Sequence, residues 1–506
     1  MLLREVVEAT EVVSQTASRK AKVVVLAETL RGLEPQEISI TVGLLLAKPR
    51  QGRLGVGWRT LSAEREHAPH ATLSVLDVDA AFERLAVAAG TGSAARRQAE
   101  LDALAQAATA REWDFLTRVI LGELRTGALE GVLLDAVALA ADRPLASVRR
   151  AAMLSGDLGE AASAALFGGA DALDEVGLIV GRAVLPMLAA TAASAGEAVS
   201  ATGDSSVEYK LDGARIQVHR HGDDIRVFTR TLADVTHRLP EIVEAVRALP
   251  VSAAIFDGET LALDEDGAPR AFQETMSRFG SEAATAVALR PWFFDLLHLD
   301  GRDLIDQPLH VRQEELDRVA GEWRIPAVRT ADPEVAEETA RAALAAGHEG
   351  VMVKAIDSAY QAGRRGKSWL KVKPVLTFDL VVLAVEEGSG RRTGLLSNLH
   401  LGARDPDGAF GPPGGFVMVG KTFKGLTDRL LAWQTAHFPT IATSRSPHAV
   451  HVRPETVVEI AIDGVQRSTR YPGGVALRFA RVKGYRPDKS AAEADTIDAL
   501  RALLRG

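Results

Sequence analysis

The stretch "VEYKLDGARIQVHR", residues 207–220, decides how this chain is read. Lys210 interrupts an extended, apolar-flanked run. Asp212 and Gly213 then break the run, and alternation resumes at Arg215. An amine in mid-strand is costly to desolvate, so it either reaches water or does chemistry. Desolvation and neighbouring cations make a lysine a nucleophile, because only the neutral amine attacks. A lone strand lysine is ordinarily solvated, so what surrounds Lys210 in the sequence has to settle the matter.

Working outward, the character of the chain changes at this stretch. Residues 1 to about 195 read as helical: Ala and Leu dominate, and apolar residues recur every three or four positions, as in "AELDALAQAATAREWDFLTRVILGEL". Short breaks such as "AKPRQGRLGVG" and "LRTGALEG" separate the helices. The small, polar stretch "SAGEAVSATGDSS", 194–206, reads as a linker. From 207 to about Lys373 strands alternate with helical segments near 238–249 and 333–346, an α+β mixture. After Pro374, short strands such as "FDLVVLAVEEG", "FVMVGKTF" and "ALRFARVKGY" with Gly-rich turns suggest a small barrel, interrupted by the helical "LTDRLLAWQTAHF".

Bulk properties bound the function. The 506 residues are 47% hydrophobic and 25% charged, as in ordinary globular proteins, with room for about three domains. No run approaches the roughly 18–20 apolar residues of a membrane helix, and the first residues lack the pattern of a secretory signal. Cysteine is absent, which removes disulfides, cysteine nucleophiles and thiolate zinc sites; a cytoplasmic address is expected. The net charge of −8 is unevenly spread. Residues 374–506 hold seventeen Lys and Arg against thirteen Asp and Glu, or +4, so the first 373 carry −12. A basic patch can persist on an acidic chain, because screening acts over about 10 Å.

Four further elements follow Lys210 in order. In "IFDGE", Asp257 and Glu259 would share one face of a strand, where two hard carboxylates suit Mg²⁺ or ribose hydroxyls. Taken alone, Asp257-Gly258 reads as a β-turn. In "PWFFDLLHL", Phe293 and Phe294 face opposite ways on a strand, which leaves one of them able to stack on a base, although core packing of both is the default for aromatics. In "HEGVMVKA", Glu349 and Lys354 stand at the two ends of an apolar strand, suited to a metal and a phosphate. In "SWLKVKP", Lys371 and Lys373 share a face, as a polyphosphate clamp or as the guard of an edge strand. Each element has an ordinary structural explanation, but their order within one α+β block does not.

"KLDGAR", "TR" at 229–230, "FDGE", "FFD", "EGVMVK" and "WLKVK" resemble the ordered motifs of the covalent nucleotidyltransferases. Within that superfamily the chain most resembles ATP-dependent DNA ligases of the bacterial and archaeal three-domain type, with an actinobacterial composition. "GELRTGALEGVLLDAV", 122–137, resembles part of their helical DNA-binding domain, and "RFARVKGYRPDK", 478–489, their last motif. The resemblance implies an all-α DNA-binding domain over 1–198, an α+β adenylation domain over 199–373, and a β-barrel of the oligonucleotide-binding (OB) fold over 374–506. It implies that Lys210 takes AMP from ATP, that Glu208 reads the adenine and that Phe294 stacks on it. Arg215 and Arg230 would hold ribose and phosphates, Arg230 also the 5′-phosphate of the nick. Glu259 would contact ribose or a metal, and Glu349 would bind Mg²⁺, with Mn²⁺ as a substitute. Lys354, Lys371 and Lys373 would stabilise charge on the α-phosphate. Arg486, Asp488 and Lys489 would orient the leaving pyrophosphate. Leu211 departs from the aromatic common after the lysine, on the face turned away from the nucleotide.

The expected activity is sealing of nicks in duplex DNA by a monomer that encircles its substrate, nucleoid-associated in the cytoplasm. An RNA ligase or another covalent nucleotidyltransferase is the alternative. The absent cysteines and the large helical block argue against an NAD-dependent ligase or a capping enzyme. A chain that only binds nucleic acid would not need all the acids and lysines present.

Overall fold

A computed structural model describes residues 1–52, 54–124, 129–264, 269–270, 272–280, 288–361, 365–388 and 392–504. Residues 125–128 of the short break "LRTGALEG" lie outside the described residues.

The helical block runs from Leu3–Gln15 to Leu158–Phe167. In the first helix, Leu3, Val6, Val7, Thr10 and Val13 are buried, a stripe at helical spacing. Helix Ala110–Leu121 shows how local sequence sets both ends. Thr109 and Glu112 form a capping box, and Gly122 at φ +69° closes it. One apolar core joins these helices from Leu3 to Leu173.

The middle block contains, among the described residues, two five-stranded sheets. Its strands are β1 (Leu188–Thr191), β2 (Ser205–Lys210), β3 (Ala214–His221), β4 (Asp224–Thr229), β5 (Ala253–Ala262), β6 (Leu289–Leu299), β7 (Arg302–Asp303), β8 (Ala327–Thr330), β9 (Gly350–Ala355) and β10 (Arg365–Val372). One sheet has the order β1-β10-β9-β2-β8 and the other β4-β3-β5-β6-β7. The opening stretch is therefore the point where the chain leaves one sheet for the other: β2 ends at Lys210 and β3 begins at Ala214. Gly213 permits the crossing, because a Cβ there would stand 2.4 Å from the Thr260 carbonyl oxygen.

Two expectations are corrected here. Residues 194–206 are not a linker. Ser194 caps a helix, Ala195–Thr202, whose Ala195, Ala198 and Val199 bury against β2, β9 and β10. Small apolar residues at i, i+3 and i+4 carry a weak hydrophobic signal, so the pattern read as polar. Nor does helix fill the chain to 195, since β1 already pairs in parallel with β10.

The C-terminal block is built on β11 (Leu376–Glu387), β12 (Leu396–Asp405), β13 (Gly415–Thr422), β14 (Ala442–Arg445), β15 (Val450–Val452), β16 (Val457–Ile462) and β19 (Arg481–Tyr485), with a hairpin of β17 (Gly464–Arg467) and β18 (Val475–Arg478). The first half of β11 pairs with β16, the second with β12 and β15, so the sheet curls around its own core. Helix Asp428–His437, capped by Thr427, lies where the sequence interrupts the strands.

The blocks touch at specific places. Arg150 clamps Asp306 at 2.6 and 2.7 Å. Met153, Leu154, Val184 and Met187 pack with Leu211, Phe294, Tyr360 and Trp369 beneath the gap between the two sheets. From the C-terminal block, Arg478 pairs with Asp212 at 2.7 Å and Asp463 with Lys373 at 2.8 Å.

Candidate active site

Between the two sheets lies a cavity of about 510 Å³. Glu208, Lys210, Arg215, Arg230, Glu259, Phe294, Glu349, Lys354, Lys371 and Lys373 all line it. Strand register explains the gathering. Lys210 and Glu208 sit two apart on β2, hence on one face. Across from them on β9 stand Gly350 and Met352, and Ser206 faces Lys354. β10 then sets Lys371 beside Met352 and Trp369 beside Lys354.

The cavity has two chemically different ends. At one end the Lys210 amine donates to the Glu349 carboxylate, and Lys373 lies 3.8 Å from the other Glu349 oxygen. Glu259 belongs here: burial pushes its carboxyl up to about 7, against the pull of Lys210 and Arg215. At the other end Lys354, only 1% exposed, pairs with Glu208 at 2.6 Å. Its Nζ lies 4.1 Å from the Phe294 ring centre and 4.2 Å from that of Trp369. Burial lowers the Lys354 pKa, and Glu208 opposes that. Four residues of strand separate the level of Lys354 from that of Lys210, roughly 13 Å at strand rise. The arrangement does not support Lys354 as an α-phosphate ligand; it neutralises Glu208 at the aromatic end. Phe293 takes the core side, stacked on Phe256 at 4.6 Å.

Asp257 and Gly258 are mid-strand rather than a turn. A Cβ on Gly258 would meet the Trp292 carbonyl oxygen at 2.6 Å, so close strand approach is what requires glycine. The Asp257 carboxylate is engaged by the protein itself: Arg215 clamps it at 2.7 and 3.0 Å, and Tyr360 donates to it at 2.7 Å. Burial opposes the Arg215 charge, but Asp257 outweighs it and keeps that guanidinium above its ordinary pKa. Arg215 also donates to the Met187 carbonyl at 2.7 Å, so its side chain supports the cavity wall. Arg230, by contrast, is exposed at the mouth.

Arg486, Asp488 and Lys489 are not among the cavity lining. Arg486 and Lys489 converge instead on Asp379. Asp463, Arg478 and Phe479 of the C-terminal block stand over the cavity in their place. Sequence reading missed these three, together with Met187, Leu188 and Ala189. Arg478 and Phe479 fall inside the quoted final motif, but only the docking of the block shows which of its faces meets the cavity.

The paired acids Glu259 and Glu349 fit a divalent cation. Both offer hard oxygens, and the Glu349 charge is one cause of the raised Glu259 pKa, a repulsion a cation would relieve. Among the described residues no cluster of three or more His, Asp or Glu is suited to a metal, so substrate oxygens would have to complete its shell, as Mg²⁺ usually requires.

The raised Glu259 pKa has a consequence for stability. Between 4.5 and about 7 the folded protein holds a proton that the unfolded chain releases. Stability of the ligand-free protein therefore falls as pH rises through that window. Glu259→Gln removes this slope. Its urea midpoint should exceed that of the unaltered protein at pH 8, with the gap closing near pH 4.5; a constant gap would contradict the assignment.

Comparison with known proteins follows the same blocks. The family model described as "ATP dependent DNA ligase domain" matches residues 186–373, "DNA ligase N terminus" matches 59–138, and "ATP dependent DNA ligase C terminal region" matches 392–489. A protein of Pseudarthrobacter chlorophenolicus named "Probable DNA ligase" is 65% identical over 506 residues, the whole of both chains. One of the same name from Rhodococcus opacus (strain B4) is 57% identical over 508 residues, again spanning both chains. The solved structure named "Pmar-Lig_PreS3" covers 95% of this chain and 99% of its own, with a TM-score of 0.63 at 19% identity, a likeness of fold.

Proposed function

The chain belongs to the ATP-dependent DNA ligase family, and on that footing we propose that it seals nicks in duplex DNA by three phosphoryl transfers centred on Lys210. The observation that carries this reading is the two-ended cavity. Lys210 and Glu349 meet at one end, and Glu208 and Lys354 pair against Phe294 at the other.

In the first step the Lys210 amine attacks the α-phosphorus of ATP. A P–N bond forms, the bond to the β-phosphate oxygen breaks, and pyrophosphate leaves with the electron pair. The ammonium proton passes to solvent. Lys210 is tied to Glu349, so a group that takes the Glu349 charge also frees the amine. In the second step a 5′-phosphate oxygen of the nick displaces Lys210 from AMP. In the third the 3′-hydroxyl attacks that phosphate and AMP departs. Lys373, beside Glu349, and Lys371, on β10 two residues before it, would stabilise the charge of the transferred phosphate in each step. Glu208 would accept from the adenine amino group, Phe294 would stack on the ring, and Arg230 at the mouth would meet the 5′-phosphate.

A divalent cation held by Glu259 and Glu349 would supply further neutralisation of phosphate charge. The curled C-terminal sheet is read as an OB-fold barrel that closes, with the helical block, around DNA as a monomer. That block would also turn: Asp463 and Arg478 now face the cavity, and the pose that serves ATP would bring Arg486, Asp488 and Lys489 there instead. Among the described residues no helix is long and apolar enough to cross a membrane, and the cytoplasmic, nucleoid-associated address remains part of the proposal. An RNA-joining role finds no support in the names of the relatives.

The test is incubation with α-labelled ATP and Mg²⁺, then denaturing electrophoresis. An acid-labile label that nicked DNA chases into sealed product is expected. No label with ATP, but label with GTP or NAD, would overturn the reading.

Binding should be strongly salt-dependent, since phosphate contacts release counterions. For six to ten such contacts, affinity for nicked duplex should fall by roughly 10³-fold or more between 50 and 200 mM salt. A flat titration by fluorescence anisotropy would argue against a DNA-encircling mode.

A further inference from the structure

Asp379, on β11, is 8% exposed and far from the end of the cavity that holds Lys210 in sequence, yet it gathers two cations of the final motif. Its carboxylate lies 3.3 Å from Arg486 Nη1 and 2.5 Å from Lys489 Nζ. The backbone of Asp379 is fixed in turn. Its N–H donates to the Asp495 carboxylate at 2.7 Å, and the Asp495 N–H donates to its carbonyl at 2.8 Å. The other edge of Arg486 is held by Asp488 at 2.7 Å. Arg486 and Lys489 are joined by a tight turn, the Lys489 N–H donating to the Arg486 carbonyl at 3.1 Å.

Two like charges on flexible side chains three residues apart would repel and splay. A buried carboxylate on a strand holds them side by side, both paired to the same Asp379 oxygen, as two cationic donors. The hydrogen bond that Lys489 donates to Asp379 also raises the Lys489 pKa. We propose that Asp379 is a positioning residue for the first step: it holds Arg486 and Lys489 as a preformed clamp for the diphosphate of ATP, and has no part in the two DNA steps. The proposal rests on the reading of Arg486 and Lys489 as pyrophosphate ligands.

The experiment compares the steps in the full chain. Asp379→Asn keeps the shape and removes the charge. Labelling of Lys210 from ATP should slow by about 10²-fold, the cost of a misplaced reacting group. The reverse reaction, in which added pyrophosphate attacks the lysyl-AMP, breaks its P–N bond and carries the label off as ATP, should slow alongside it. Single-turnover sealing by the protein purified with AMP already attached should stay within about twofold of the unaltered enzyme. Asp379→Glu, which keeps the charge, should recover part of the first step. Equal loss in labelling and in sealing would show a structural role only and overturn the proposal, as would unchanged labelling. Lys489→Ala separates the two readings. If that variant labels normally, the ligand role of Lys489 fails. If it labels poorly while Asp379→Asn labels well, only the role of Asp379 fails.

Discussion

Lys210→Ala takes no AMP label and seals no nick, with a loss of at least about 10⁴-fold, in the range found when a covalent nucleophile is removed. The expectation is sharper than loss of activity alone. Lys210 is covalently engaged in the first two steps but not in the third. Supplied with nicked DNA that already carries AMP on its 5′-phosphate, the variant should still join the strands, because Lys373 and Glu349 remain together and Lys371 still lines the cavity. The comparison is made by single-turnover gel assay on the two substrates. Ordinary sealing of unadenylated nicks by the variant would remove Lys210 from the mechanism. Equal failure on both substrates would mean that the substitution disturbs the site as a whole, and the Lys210–Glu349 ion pair would then be the place to look.

Arg312→Ala should cost about 3–5 kcal/mol of stability, the range for stranding one partner of a buried ion pair. Arg312 and Asp295 are both 0% exposed and meet at 2.6 and 3.0 Å. Arg312 also donates to the Gln307 carbonyl at 2.5 Å and to the Ser358 carbonyl at 3.0 Å, tying helix Leu309–Ala320 to β6 and to the turn before Tyr360. Removing the guanidinium leaves the Asp295 charge buried beside Phe294, and so loosens the floor of the cavity. The loss is large against the roughly 5–15 kcal/mol that a domain typically has. Replacing both partners, Arg312→Met with Asp295→Leu, should recover most of it, because no charge is then stranded. Urea denaturation of the three proteins decides the matter. A single variant with an unchanged midpoint would mean that water reaches Asp295.

Much of this site could be read without coordinates, and the reason is periodicity. Glu208 and Lys210 share a face because side chains on a strand alternate, and the same rule sent Phe293 to the core and Phe294 to the cavity. The helical, mixed and strand-rich blocks were visible because apolar spacing changes from three-and-four to two near residue 207. The lysines and acids were recognisable because the ordered motifs that carry them resemble those of the covalent nucleotidyltransferases.

What the sequence could not determine depends on contacts between segments distant along the chain. Only the folded protein parts β2 from β3 into different sheets at Gly213, which opens the cavity in which Lys210 sits. Only strand register sets Lys354 beside Glu208 and away from Lys210, since pairing partners are chosen by packing and not by neighbouring residues. The helix at Ala195–Thr202 stayed hidden because Ala and Gly bury too little surface to mark a face, and its stability comes from the sheet beneath it. The docking of Asp463 and Arg478 over the cavity follows from how two blocks with separate cores meet, and the gathering of Arg486 and Lys489 on Asp379 from pairing between the ends of the C-terminal block. Local sequence determines elements and their chemistry; which face of one block meets another is settled by complementary surfaces assembled from the whole chain.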